Sequence, residues 1–299
     1  QAVGGAESRG GITHDDPNFP TSPQALFIPL AGAELRWPLA RQTEKALHVI
    51  EPVAQIVYSD IIGNETNIPN EDSVQVEFDA ANLFSLNRFP GTDRTENGFR
   101  LNLGVNYTRI DPDGWQMAFT LGQVLRAETT SGFSDGAGLN GVTSNIVAAG
   151  VLDLPPYLTL SNQTLFDESL QFYRNDIQAR IEYGDLALDA AYVFLAPDIT
   201  EGALTERHEL VVAANYQLTP EWLLNAGWRR DLSLDQNVSA DAALEFRNEC
   251  VTTRFSVSRR FRDSNNVPES TNYGLNIALA GFGGGQKQAS PNRCVNLGQ

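Results

Sequence analysis

Apolar and polar residues alternate at period two along most of this chain. Phe99, Leu101, Leu103, Val105 and Tyr107 alternate with Arg100, Asn102, Gly104, Asn106 and Thr108. Leu210, Val212, Ala214, Tyr216 and Leu218 alternate with Glu209, Val211, Ala213, Asn215 and Gln217, and the same rhythm runs through 222–229, 238–247 and 272–279. Strand side chains point alternately to two faces, so each run has one apolar and one mainly polar face. No segment carries a helical stripe of comparable length. The pattern predicts about thirteen strands. They fall near 31–39, 46–59, 98–110, 114–127, 143–153, 157–166, 169–183, 185–196, 206–218, 221–232, 237–248, 250–262 and 271–282. Many exceed the ~5–6 residues usual in a soluble sheet, and their polar faces hold small residues and full charges in mid-strand. The expected fold class is therefore all-β, an antiparallel up-and-down transmembrane β-barrel. Its apolar face would meet lipid and its polar face would line a wet lumen.

The links between runs alternate in length. Short ones fall at Asp111-Pro112-Asp113-Gly114, Gly184-Asp185, Thr219-Pro220 and Asn248-Glu249; long ones lie between Glu128 and Val142, Pro197 and Thr205, and Asp263 and Ser270. Short turns on one side and long loops on the other are the habit of outer-membrane barrels, and here the short links fall on the side of the carboxyl terminus. The longest irregular stretch, 61–97, contains Phe78, Leu83, Phe84, Leu86, Phe89 and Pro90. So apolar a loop is expected to fold back into or over the barrel mouth; an additional strand near 73–79 is the second reading. Residues 1–27 are expected to be a loop or linker from preceding barrel strands, 28–282 the barrel portion, and 283–299 a polar periplasmic tail. The odd strand count suggests that earlier strands precede this portion, leaving the barrel open or incomplete as given. Trp37, Tyr58, Tyr107, Trp115, Tyr157, Tyr183, Trp222 and Tyr273 sit near strand ends, as interfacial aromatic girdles do.

Composition narrows the function classes. The chain has 299 residues, 41% of them hydrophobic and 19% charged, with a mean hydropathy of -0.26. No stretch approaches the ~18–20 apolar residues of a spanning helix, although a barrel strand needs only about ten. The net charge is -16, and Lys45 and Lys287 are the only lysines, which disfavours nucleic acid as a partner. His14, His48 and His208 stand far apart, without metal-ligand spacing to one another or to a cysteine. No nucleophile elbow, P-loop or dinucleotide fingerprint occurs, so neither an enzyme nor a cofactor is expected. The loop carboxylates Asp111, Asp113, Asp135, Asp198 and Asp263 are candidates for divalent cations but are more often plain solvated charge. Arg180, Glu182, Asp189, Arg229, Asp241, Glu245 and Arg254 fall on polar strand faces and are expected in the lumen. Cys250 follows a short link and Cys294 lies in the tail on the same side. They are disulfide candidates, bridged to each other or separately to other segments; free thiols are the third reading.

Four blocks resemble the LptD family, also called organic solvent tolerance proteins, and its alphaproteobacterial members most. They are HVIEPVAQIVYSD at 48–60, NLFSLNRFPGTDRTENGFRLNLGVNY at 82–107, SGFSDGAGLNGVTSNIVAAG at 131–150 and ECVTTRFSVSRRFRDS at 249–264. The resemblance implies the carboxyl-terminal part of a lipopolysaccharide translocon in the cell outer membrane, without enzymatic turnover. It implies a lumen and a lateral gate between first and last strands, through which lipopolysaccharide reaches the outer-leaflet lipid. The implied partners are a plug lipoprotein of the LptE type and a periplasmic bridge protein of the LptA type, the latter through an amino-terminal domain this chain lacks. Family cysteines near the position of Cys250 bridge to that domain. Within the last predicted strand the gate-strand candidates are Tyr273, Gly274, Leu275, Asn276 and Ile277, glycine being a residue that weakens strand pairing. The alternative class is a generic porin-like diffusion channel; the tail beyond Phe282 speaks against it.

Overall fold

The computed structural model describes residues 2–12, 24–63, 65–68, 70, 73, 76–91, 93–130, 132–261 and 268–279, with side chains from residue 25 onward except at 66. Its fifteen strands are β1 Ala2–Ile12, β2 Gln24–Arg36, β3 Leu39–Gln42, β4 Leu47–Ser59, β5 Gly98–Ile110, β6 Gln116–Arg126, β7 Ile146–Leu154, β8 Leu158–Phe166, β9 Phe172–Tyr183, β10 Leu186–Leu195, β11 Arg207–Gln217, β12 Trp222–Asp231, β13 Gln236–Arg247, β14 Val251–Arg260 and β15 Ser270–Leu279. They form one sheet in which each strand pairs with its neighbours in sequence, from β1 at one end of the order to β15 at the other, while β3 pairs with β4 off the main path. One 3-10 turn, Glu65–Asn67, is the sole helical element among the described residues. The all-β, antiparallel, up-and-down class read from the alternation is the class observed.

The thirteen predicted strands correspond to β2 and β4 to β15, and two strands are additional. The loop expected at the amino-terminal end contains β1, which pairs with β2 from Ala2↔Ala33 to Ile12↔Gln24, and β2 itself begins at Gln24. Its sequence AVGGAESRGGI has almost no large apolar residues to show a period, so the ladder to β2 defines this strand, not its own pattern. β3 pairs with the first residues of β4, from Leu39↔Ile50 to Gln42↔Leu47. The second reading of 73–79 is not met: Ser73 and residues 76–79 are irregular among the described residues. The 283–299 tail, with Cys294, lies outside the described residues.

The sheet is divided between two compact units. The first holds 1–154, 161–177 and 194–206; the second holds 155–160, 178–193 and 207–299. In the first unit the buried apolar core does not lie between two sheets. It sits on the polar face of the strands, where Val76, Phe78, Leu83 and Phe89 of the 61–97 loop and Phe133, Ala137 and Leu139 of the following loop pack against Val124, Val147 and Leu165. The opposite face is apolar and bare: Leu35, Ile56, Tyr58, Phe99, Leu103 and Phe119 are all exposed. In the second unit Phe255, Leu275 and Ile277 lie more than half exposed on the equivalent face. In water each such side chain would forgo roughly 1.5–3 kcal/mol of burial, and so many large apolar side chains exposed on one face of each unit mark a surface meant for another apolar phase.

This arrangement fixes the sign of a charge test. Leu103→Arg, on the apolar face, is expected to lower stability in bilayers by about 2–4 kcal/mol if it lies at mid-membrane depth. Thr108→Arg, on the polar face of the same strand, is expected to change it far less. Urea titration of the full-length protein reconstituted in lipid vesicles distinguishes them.

Candidate functional site

Period-two geometry places every second residue of β2, β4, β5 and β6 on one polar face. In register across it stand Glu34↔Gln55, Gln55↔Asn102, Glu51↔Asn106 and Asn106↔Thr120. Hydrogen bonds join these rungs. Gln55 Nε2 donates to Glu34 Oε2 at 2.9 Å, Asn102 Nδ2 to Gln55 Oε1 at 2.6 Å, and Thr120 Oγ1 to Asn106 Oδ1 at 2.9 Å. Arg36 pairs with Glu34 at 2.6 Å and with Glu51 at 3.3 Å.

Onto this face the 61–97 loop is latched by one buried carboxylate and three buried guanidiniums. Glu96 meets Arg88 of its own loop at 2.9 Å, Arg126 at the end of β6 at 3.0 Å and Arg100 near the start of β5 at 3.8 Å, all with side chains 0–1% exposed. Three cations around one anion leave excess positive charge, and polar oxygens surround it. Arg100 donates to Ser59 Oγ at 3.0 Å and to the Leu86 carbonyl at 2.6 Å; Arg88 donates to Asn102 Oδ1 at 3.0 Å; Arg126 donates to the Leu139 carbonyl at 3.1 Å. Burial works against the charge on Glu96, but the Coulombic pull of Arg88, Arg100 and Arg126 outweighs it and holds the carboxyl below the ordinary carboxylate range.

Shape reinforces charge. Gly104 and Gly122 face each other across β5 and β6, and the loop's Leu83 sits in the notch they leave. A Cβ at Gly122 would fall 2.2 Å from Leu83 Cδ2, and one at Gly104 would fall 2.8 Å from Phe84 Cζ. The 127–145 loop joins the same assembly. Phe133 stacks on Phe89 with ring centroids 4.5 Å apart, and the Arg126 guanidinium lies 5.3 Å from the Phe133 ring. A third loop, 196–206, closes on the second through Asp198, which accepts from the Gly136 N–H at 2.7 Å and from the Thr200 N–H at 2.9 Å. Burial disfavours the charge of Asp198, yet the hydrogen bonds from Thr200, Gly136 and Glu201 keep its carboxyl low. Asp198, a candidate cation ligand by sequence, is thus occupied as a loop tie.

In the second unit the polar face carries the charges predicted from sequence, and Ala243 and Glu245 on it are buried. Arg180 reaches Glu182 at 2.7 Å and Asp189 at 3.3 Å. Arg229 meets Glu209 at 2.8 Å, and Glu245 lies opposite Arg254 in register, at 3.4 Å, with Arg247 at 2.6 Å. Asp241 stands opposite Gly227, so close that a Cβ on that glycine would fall 2.6 Å from its carboxylate. The gate-strand candidates divide by face. Tyr273↔Val257, Leu275↔Phe255 and Ile277↔Thr253 lie on the apolar side, while Gly274↔Ser256 and Asn276↔Arg254 lie on the polar side. Cys250, at the β13–β14 link, is disulfide-bonded; the chain's other cysteine, Cys294, is outside the described residues. Each histidine with a described side chain is engaged by a tyrosine: His48 Nδ1 lies 2.9 Å from Tyr107 Oη, and His208 Nδ1 lies 2.8 Å from Tyr192 Oη.

The latch residues Arg88, Glu96, Arg100 and Arg126 and the Gly104–Gly122 notch were not singled out from sequence. Alternation assigns Arg100 to the polar face, but only the loop's return brings Glu96 to it. The available signal was the apolar content of the loop next to a run dense in charge, FPGTDRTENGFR.

The family model described as LptD, LPS transport system D, matches residues 13–222. Similar curated proteins are all named LPS-assembly protein LptD. One from Shewanella denitrificans is 24% identical over 256 residues, covering 79% of this chain and 33% of that protein; one from Cupriavidus necator is 26% identical, covering 73% and 27%; one from Acinetobacter baylyi is 40% identical over 68 residues, covering 23% and 8%. The chain thus spans a third or less of the length of these relatives. Among solved structures, a mutant Rh. blastica porin is 13% identical with a TM-score of 0.35, covering 94% of this chain and 90% of that one. The copper transporter OprC is 10% identical with a TM-score of 0.38, covering 91% and 52%.

Two substitutions and a pH series test the latch. Glu96→Ala strands three buried guanidiniums and is expected to cost about 3–5 kcal/mol, read as protease cleavage within 61–97 while the strands stay protected; Gly122→Val, which evicts Leu83, should expose the same sites. Because the folded carboxyl titrates below its unfolded value, the latch's contribution is full above the ordinary carboxylate range of about 4.3 and is lost as pH falls through the lower folded value. Loop protection should therefore be the same at pH 7 and pH 5 and disappear only under stronger acid, as hydrogen exchange would report.

Proposed function

The chain belongs to the LptD family of LPS transport system D, and from that membership we infer that it is part of an outer-membrane β-barrel serving lipopolysaccharide assembly and transport. The apolar face is the lipid-facing wall and the polar face is the wall of a wet lumen. The observation that carries this reading is the inverted sheet: exposed Ile56, Phe99 and Leu103 on one side, buried Gln55, Arg100 and Asn102 on the other. A lipid with a phosphorylated sugar head needs a polar path for the head and an apolar surface for the tails, and such a sheet supplies both.

In this reading the latched loops cover the lumen wall of the first unit, while Arg180, Glu182, Asp189, Arg229, Asp241, Glu245 and Arg254 on the polar face of the second unit offer a polar track or a seat for a plug lipoprotein of the LptE type. β15, with Tyr273, Gly274, Leu275, Asn276 and Ile277, supplies one side of the lateral gate. Short links and Cys250 face the periplasm, where the full protein meets a bridge protein of the LptA type. The function requires no enzymatic turnover.

Depletion of the full-length protein tests the proposal. Newly made lipopolysaccharide is expected to stop reaching outer-leaflet modifying enzymes while other outer-membrane barrels still assemble. Unchanged delivery together with a fall in small-solute uptake would instead support a diffusion channel.

A further inference from the structure

The apolar face of the second unit is not evenly filled. Three registered rows cross it: Leu224↔Leu244↔Phe255↔Leu275, then Ala226↔Ala242↔Val257↔Tyr273, then Trp228↔Ala240↔Arg259↔Thr271. Alanine occupies the middle row at 226 and 242 and the third row at 240, where the first row has leucine and phenylalanine. The small side chains leave a groove of about 380 Å³ walled by Leu224, Leu244, Phe255, Val257 and Tyr273 and floored at Ala242. That volume is at the small end of the range of ligand sites, about 300–1,000 Å³. One alternate position beyond Val257, about 7 Å along β14, the same face carries Arg259. Its side chain is half exposed, within 3.4 Å of Thr271 Oγ1 and 3.8 Å of Glu269. Arg230, on the same face of β12 and toward the same strand ends, is ion-paired with Asp235 and donates to Asn237 at 3.2 Å. These ends carry the longer β14–β15 link.

We propose that this groove is a lipid-binding site that holds one acyl chain of a phosphorylated glycolipid, with a phosphate of its headgroup on Arg259. The inference rests on the transport reading above and specifies where on the outer wall its cargo lodges. Two observations select this occupant. The groove runs across the side-chain face of paired strands β12 to β15 and offers almost only carbon surface, which suits a hydrocarbon chain. The guanidinium stands where an apolar wall gives way to charge in a chain of net charge -16, and its planar fork matches a phosphate. Tyr273, 82% exposed, forms the outer lip and closes over the bound chain.

The test places a photoreactive amino acid at position 273 of the full-length protein in cells, with controls at 103 on the apolar face of the first unit and at 225 on the polar face. Glycolipid adducts are expected at 273 several-fold above 103, falling to the level of 103 when Ala242→Leu fills the groove or Arg259→Gln removes the fork. Equal labelling at 273 and 103, insensitivity to both substitutions, or adducts carrying phospholipid in place of glycolipid would overturn the site. Adducts at 225 without enrichment at 273 would overturn the groove and leave the transport reading standing. Adducts at neither 225 nor 273 would overturn both.

Discussion

The first unit depends on the Glu96 carboxylate. A sheet with a polar face cannot hold an apolar loop against itself by the hydrophobic effect alone, because burying that face strands its hydrogen-bonding groups. Glu96 resolves the conflict by taking Arg88, Arg100 and Arg126 at once, and terminal guanidinium nitrogens are turned onto the carbonyls of Leu86 and Leu139 and the side chains of Ser59 and Asn102, while the Nε of each arginine is buried without a hydrogen-bond partner. Charge is thereby spent on geometry. A purely apolar contact would accept several loop positions, whereas this constellation accepts one, and Leu83 in the Gly104–Gly122 notch sets the same register by shape.

The wall itself inverts the ordinary rule of a soluble fold. Its buried positions include Gln55, Ser59, Arg100 and Asn102, and its exposed positions include Ile50, Ile56, Phe99 and Leu103. Only an apolar solvent on one side and water or latched loops on the other make that distribution favourable. The second unit repeats the inversion with alanines set among larger residues, so its outer surface has relief as well as polarity.

Much of this was legible in the chain because a strand writes its two faces into alternate residues. Every run with large apolar side chains at alternate positions proved to be a strand, and the link lengths marked their order. β1 was illegible because its glycines and alanines carry no period, and its identity as a strand comes from β2. The latch was illegible for a different reason: Glu96 and Arg126 become neighbours through the path of a loop, which hydrophobic periodicity does not encode. The polar-face charges were visible as a class, but their partners, such as Glu209 for Arg229, depend on strand register. The gate-strand group, taken as one set from sequence, divides in the structure into three residues for one face and two for the other.

The latch is also local in the chain. Arg88, Glu96, Arg100 and Arg126 belong to one loop and the hairpin that follows it, and Leu83 and its glycine notch lie in the same stretch. Local contacts form early because little chain entropy is lost in closing them. The β5–β6 hairpin therefore carries the charged anchorage of its loop within one stretch of chain, and the loop's apolar contacts with Val147 and Leu165 are the part that waits for later strands.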